Sequence, residues 1–210
     1  MKTGLIFDMD GTLWDSSANV AASWTEKIRL LGLDRPEITK QDIMGVMGLT
    51  MDRLAAIIFS DLPEDKRMEL LDLCCEYENG YLRSHGGVLY PDLEETLQRL
   101  SENYGLYIVS NCQKGYIEAF LDYYGFWKYF RDIECYGNNL LDKGSNIALL
   151  AERNGLRKAW YIGDIQGDYD SAMKAGVGFI HAAYGFGKAD SCAAVLDDIR
   201  KLPEIVKTLL

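Results

Sequence analysis

The sequence predicts an α/β fold: a parallel sheet of about five strands flanked by helices, with a small helical cap inserted early in the chain. Two observations carry that reading. Short apolar runs without polar alternation at 5–7, 106–109 and 159–163 are as expected of strands covered on both faces of a parallel sheet, and the candidate strands are 5–8, 106–110, 133–136, 159–163 and 178–182. The segments between the later runs have helical periodicity, so strand and helix alternate and the strands are joined by right-handed crossovers.

The elements follow in order. Gly4-Leu5-Ile6-Phe7 runs straight into Asp8-Met9-Asp10-Gly11-Thr12, so two carboxylates, a glycine and a hydroxyl stand at the end of the first strand. Ligands of open parallel sheets bind at such carboxyl ends. From Ser16 to about Ser84 the pattern turns helical, punctuated by Leu33-Asp34-Arg35-Pro36, Met44-Gly45-Val46-Met47-Gly48 and Ser60-Asp61-Leu62-Pro63. The chain is therefore expected to divide into a core of residues 1–15 and 88–210 and a helical cap of residues 16–87. The two crossings near 15–17 and 84–90 make a natural hinge, on which the cap closes over the carboxylates. A helix to about Asn103 then leads into the second strand, and Lys143 heads an amphipathic helix carrying Ile147, Leu149 and Leu150.

Composition narrows the function classes. At 210 residues the chain is long enough to bury most of its apolar residues, but it has no apolar stretch near the ~20 residues that span a bilayer. Its amino terminus enters a strand without the features of a signal peptide, so cytoplasmic residence is expected. The five cysteines form no Cys-x-x-Cys pair or zinc spacing and read as free thiols; Cys112, just past Ser110-Asn111, is the one nearest the functional residues. His85 and His181 fit no triad and read as structural or surface residues. A formal net charge of −10 argues against a nucleic-acid partner, which calls for a basic face, yet leaves room for a small phosphorylated metabolite held by local positive charge.

The first strand end sets the chemistry. Two carboxylates two residues apart repel each other and lose hydration on burial unless a cation or proton compensates. Mg²⁺ suits the role, being a hard ion that takes one or two carboxylates together with phosphate oxygens. Asp10-Gly11-Thr12 equally suits a plain turn and helix cap. Two later runs also end in functional groups, at Ser110-Asn111 and Gly163-Asp164, with Lys143 between them. Together these supply a nucleophile, donors for phosphoryl oxygens, a fixed cation and a further carboxylate for a metal.

In that order, Asp8-Met9-Asp10-Gly11-Thr12, Ser110, Lys143 and Gly163-Asp164 with Asp168 resemble the four motifs of the haloacid dehalogenase-like hydrolase superfamily. The resemblance is to the branch of phosphoglycolate phosphatase and β-phosphoglucomutase, and it implies a Rossmann-like core. It also implies a Mg²⁺-dependent phosphatase acting on a small phosphomonoester such as phosphoglycolate through an aspartyl-phosphate. Asp8 would be the nucleophile, Asp10 the acid and then the base, and Lys143 the charge neutraliser. Asp8, Asp10 through its carbonyl, and Asp164 would hold the metal; Gly11, Thr12, Ser110 and Asn111 would join Asp8, Asp10 and Lys143 around the phosphoryl group. Asp168 would orient Lys143 or a water at the metal.

Within the cap, Arg53 follows the glycine-bracketed loop 45–48 and is a candidate to read a distal anion, though it equally suits a solvated helix face. Trp14 is a candidate cleft wall. Two positions depart from the family pattern: Gly144 stands where many relatives have proline, and Ile165 where many have threonine or serine. A sugar-phosphate mutase using the same residues, and a non-catalytic phosphate-binding or scaffold protein on the same fold, are the alternative readings.

Overall fold

The structure is a computed structural model that describes residues 3–209. Six parallel strands form the core sheet, in the order β5 (Phe130–Cys135), β4 (Gly105–Ser110), β1 (Thr3–Phe7), β6 (Lys158–Gly163), β7 (Gly178–Ala182) and β8 (Ala194–Leu196). β1 sits in the middle, with Leu5 paired to Leu106 on one side and to Trp160 on the other. The chain builds outward from β1 through β4 to β5, then crosses back to β6. The carboxyl end of β1 is thus the point where strand order reverses, where an open α/β sheet leaves a crevice. Leu5, Ile6 and Phe7 are buried, as are all six residues of β4, which accounts for their unbroken apolar sequence.

Two expectations are corrected. The sheet has six strands rather than about five: β8 is only three residues long, with Val195 exposed, too short for any periodicity to mark it. The strand expected at 133–136 runs instead over Phe130–Cys135, where exposed Arg131 and part-exposed Asp132 mask its start; the pairing with β4 shifts register at Leu106/Tyr107. Tyr136 opens the short helix α7 (Tyr136–Asn139) instead.

Helices α1 (Ser17–Leu30), α2 (Lys40–Met44), α3 (Met51–Ile58) and α4 (Glu64–His85) form the insertion after β1. α1 packs on α4, and Val20, Trp24, Ile28, Leu70, Leu71 and Cys74 form their buried faces, with Phe59 after α3 stacked on Trp24. The two crossings are tied together by a short antiparallel pair, β2 (Trp14–Asp15) with β3 (Val88–Leu89). Gly87 is required beside them, because a Cβ there would lie 2.8 Å from the Trp14 ring. α4 also packs on α6 (Tyr116–Tyr124) of the core, so the insertion and the core share one continuous apolar cluster. The remaining core helices are α5 (Leu93–Ser101), α8 (Lys143–Arg153), α9 (Gln166–Ala175) and α10 (Leu202–Leu209). Among the described residues no helix is long and apolar enough to cross a membrane.

Candidate active site

Asp8 is the first residue past β1, and its N–H donates to the Ile162 carbonyl at 2.8 Å, so the sheet ladder holds its backbone in place. Its carboxylate is buried and lies 3.0 Å from Lys143 Nζ. Lys143 is delivered by the first turn of α8, which Asp142 caps by accepting from the Ser145 N–H at 3.1 Å. Gly144 lets that turn approach α9: a Cβ there would stand 3.0 Å from the Ser171 carbonyl oxygen. The departure at Gly144 therefore has a packing reason.

Asp168, buried on the first turn of α9, uses both oxygens. Oδ1 accepts from Lys143 Nζ at 2.6 Å, and Oδ2 accepts from the Asp164 and Ile165 N–H groups at 2.9 and 3.2 Å. One carboxylate thereby fixes both the lysine and the loop that carries Asp164. Burial opposes the charge on Lys143, but Asp168 and Asp8 outweigh it and raise its pKa, so it is a permanent cation.

Asp8, Asp164 and Asp168 each offer an oxygen within 4.8 Å of the others, three carboxylates facing one ammonium. Burial, and then the neighbouring carboxylates, raise the Asp164 pKa; burial likewise raises that of Asp8 against the pull of Lys143. Such a cluster lacks positive charge. The Lys143 contact to Asp8 Oδ1 falls short of hydrogen-bond geometry, leaving that buried oxygen without a hydrogen-bond partner. Hard oxygen donors, surplus negative charge and an unused buried oxygen fit Mg²⁺.

Asp10 lies apart from this cluster in its bonding. Its carboxylate accepts from Ser16 Oγ at 2.6 Å and from Tyr116 Oη at 2.8 Å, and the two hydroxyls are themselves 2.7 Å apart. Burial pushes its carboxyl up to about 6, against the two hydroxyl bonds that hold it down. A group poised there can give and take a proton near neutral pH.

The structure brings Ser110 and Asn111 to the same crevice at the end of β4, where both line a cleft with Asp10. Asn111 Nδ2 donates to the Gly48 carbonyl at 2.9 Å, latching the insertion onto the core. The Oδ1 of Asn111 and the Oγ1 of Thr12 are buried without hydrogen-bond partners. Gly11 has φ +80°, and a Cβ there would lie 2.2 Å from Asp164 Oδ2, so only glycine allows this approach. Ile165 packs its aliphatic side chain toward Gly48 of the insertion, which gives the second departure from the family pattern a local reason.

Arg53 and Trp14 do not reach the cleft. Arg53 is exposed on α3 and is not among the cleft's lining residues, because the inward face of that helix is taken by Leu54, with Met51 beside it. Trp14 is wholly buried between Tyr116, Phe120 and Tyr124, a core residue rather than a wall. Cys112 does line the cleft, but burial raises its thiol pKa well above the usual range, which keeps it an inert thiol.

Several residues at the site carried no sequence signal. Ser16 and Tyr116 are among them, as is the loop after β7, where the Phe186 N–H donates to Asp164 Oδ2 at 2.6 Å and Tyr184 Oη to the Thr12 carbonyl at 2.8 Å. The Gly185-Phe186-Gly187 run just past a strand end was the available clue. His181 bonds the Asp164 carbonyl at 3.1 Å through Nε2, a supporting role.

Known proteins match this arrangement along nearly the whole chain. A phosphoglycolate phosphatase from Rhodobacter capsulatus is 30% identical over 99% of this chain and 98% of its own, and one from Vibrio parahaemolyticus is 28% identical over 96% and 95%. The solved structure of a haloacid dehalogenase-like hydrolase from Streptococcus pneumoniae superposes with a TM-score of 0.80 at 22% identity, covering 100% of this chain and 99% of that one, which shows a shared fold. The model of the haloacid dehalogenase-like hydrolases matches residues 5–182, from β1 to the end of β7, and the chain belongs to that family.

Proposed function

We propose that this protein is a phosphatase that hydrolyses a small-molecule phosphomonoester in the cytoplasm through a phosphorylated Asp8. The observation that carries the reading is the separation of two carboxylates two residues apart: Asp8 ion-paired to Lys143, Asp10 bonded to two hydroxyls and held at about 6. One environment suits a nucleophile and the other a proton carrier.

In the first step an Asp8 carboxylate oxygen attacks phosphorus in line. The bond from phosphorus to the ester oxygen breaks, and protonated Asp10 gives its proton to the departing alkoxide. In the second step Asp10, now ionised, takes a proton from the attacking water; the phosphorus–Asp8 bond breaks, and inorganic phosphate leaves. Lys143 would offset negative charge on Asp8 and on the transferring group, while Ser110, the Asn111 backbone and Thr12 would donate to its oxygens. Asp8, Asp164 and the Asp10 carbonyl would hold Mg²⁺, which when bound supplies the electrostatic attraction that lets an anion approach an anion. Because Ser16 joins β2 to α1, its bond to Asp10 ties the proton carrier to the start of the insertion.

The names of the curated relatives make phosphoglycolate the first ester to assay. Release of inorganic phosphate from a panel of phosphomonoesters should require Mg²⁺, stop with EDTA and return on re-addition. Asp8→Asn should abolish it with the fold intact, since the nearly isosteric amide cannot serve as the nucleophile. Full turnover in metal-free buffer, or by Asp8→Asn, would refute this assignment.

A further inference from the structure

The cleft beneath the insertion has an unusual lining. Its apolar walls are Val20, Trp24, Ile43, Met47, Leu49 and Leu54, and its lining includes two carboxyl groups, Asp10 and Glu78 of α4. Among the described residues lining it, none is Lys, Arg or His. Glu78 is only 3% exposed, and both its oxygens accept from N–H donors: one from Trp24 Nε1, the other from Gln113 Nε2 at 3.1 Å. Those donors orient the carboxyl group and leave it further lone pairs with which to meet a ligand.

The space is small. It measures about 50 Å³, room for about four water-sized atoms, so a leaving group of ethanolamine or glycolate size fills it. A leaving group ending in a carboxylate would bring a further negative charge into a cleft whose lining offers two carboxyl groups, Asp10 and Glu78, and no cationic side chain. An ammonium would meet the opposite: a buried carboxyl group without a counter-ion, which ionises beside a cation. Burial and the nearby Asp10 charge push the Glu78 carboxyl up to about 8 despite its two N–H donors, so the empty cleft keeps it neutral near pH 7 and a bound ammonium draws off its proton.

Resting on the phosphatase reading above, we propose that the cleft selects the phosphomonoester of a short amino alcohol and rejects one whose leaving group carries a carboxylate, with Glu78 as the specificity-determining residue. The unmodified enzyme with Mg²⁺ decides the matter: kcat/KM is compared for phosphoethanolamine, 2-hydroxyethyl phosphate and 2-phosphoglycolate, which are matched in size. The expected order is amine, hydroxyl, carboxylate, with a ratio of amine to carboxylate of about ten- to a hundredfold. Glu78→Gln, checked for folding by circular dichroism, should bring that ratio down toward one, chiefly through KM. A wild-type preference for 2-phosphoglycolate, or equal use of all three esters, overturns the inference whatever the variant does. So does an unchanged ratio in a folded Glu78→Gln. In all those cases the phosphatase reading survives, whereas no phosphate release from any ester, p-nitrophenyl phosphate included, removes both.

Discussion

Replacing Glu78 by Gln should make the protein more stable in mildly alkaline solution. Glu78 is 3% exposed, and burial raises its pKa from the ordinary 4.5 to about 8. The folded chain therefore keeps a proton that the unfolded chain releases between those two values, and the contribution of neutral Glu78 to stability is complete below pH 4.5 and is lost as pH rises toward 8. A span of about 3.5 pH units at about 1.4 kcal/mol each sets an upper limit of about 5 kcal/mol on that loss. The amide does not titrate, so it escapes the penalty. It gives up one acceptor facing Trp24 and Gln113, which costs about 1 kcal/mol unless the Gln113 amide turns over to accept from the new donor. Urea unfolding at pH 5 and pH 8 should accordingly find the variant within about 1 kcal/mol of the wild type at pH 5. At pH 8 it should be about 3 kcal/mol more stable, or roughly 6–12 °C higher in melting temperature. Carboxylates remote from Glu78 titrate alike in both proteins and cancel in the difference. A difference that does not change with pH, or a variant less stable at both values, would show that Glu78 is not held neutral by burial.

Three further outcomes are expected. Asp10→Asn should slow hydrolysis of alkyl phosphates by about 10²- to 10⁴-fold while sparing the first step on p-nitrophenyl phosphate, whose leaving group needs no proton; a burst of nitrophenol measures this, and equal losses on both esters would remove Asp10 from the proton role. Gly11→Ala should cost roughly 1–2 kcal/mol in backbone strain and push Asp164 aside, visible in calorimetry as weakened Mg²⁺ binding; normal binding would mean the turn is not needed. Arg53→Ala should leave relative kcat/KM among phosphomonoesters unchanged, since Arg53 is exposed outside the cleft, and a changed order would place it there after all.

The α/β class, the order of the strand ends and the functional residues beside them are legible in the chain without its fold. Asp8, Ser110 and Asp164 each follow or close an apolar run, and Lys143 opens a helix; these are local relations, legible because strand burial and helix periodicity write themselves into neighbouring residues. Only the tertiary structure decided what surrounds them. Tyr116 reaches Asp10 across 106 positions, Phe186 reaches Asp164 across 22, and Gln113 of the core meets Glu78 of the insertion across 35, and none of these pairs leaves a periodic trace. The same limit left Trp14 and Arg53 as open candidates, which packing then sets in the core and on the exposed face of α3 respectively. Which face a helix turns toward the cleft is set by packing against α4 and the core, and so is the electrostatic environment that separates the pKa of Asp10 from that of an ordinary surface aspartate. A strand end can be read from the residues beside it, but the charge and hydration of a buried group depend on every neighbour the fold brings near.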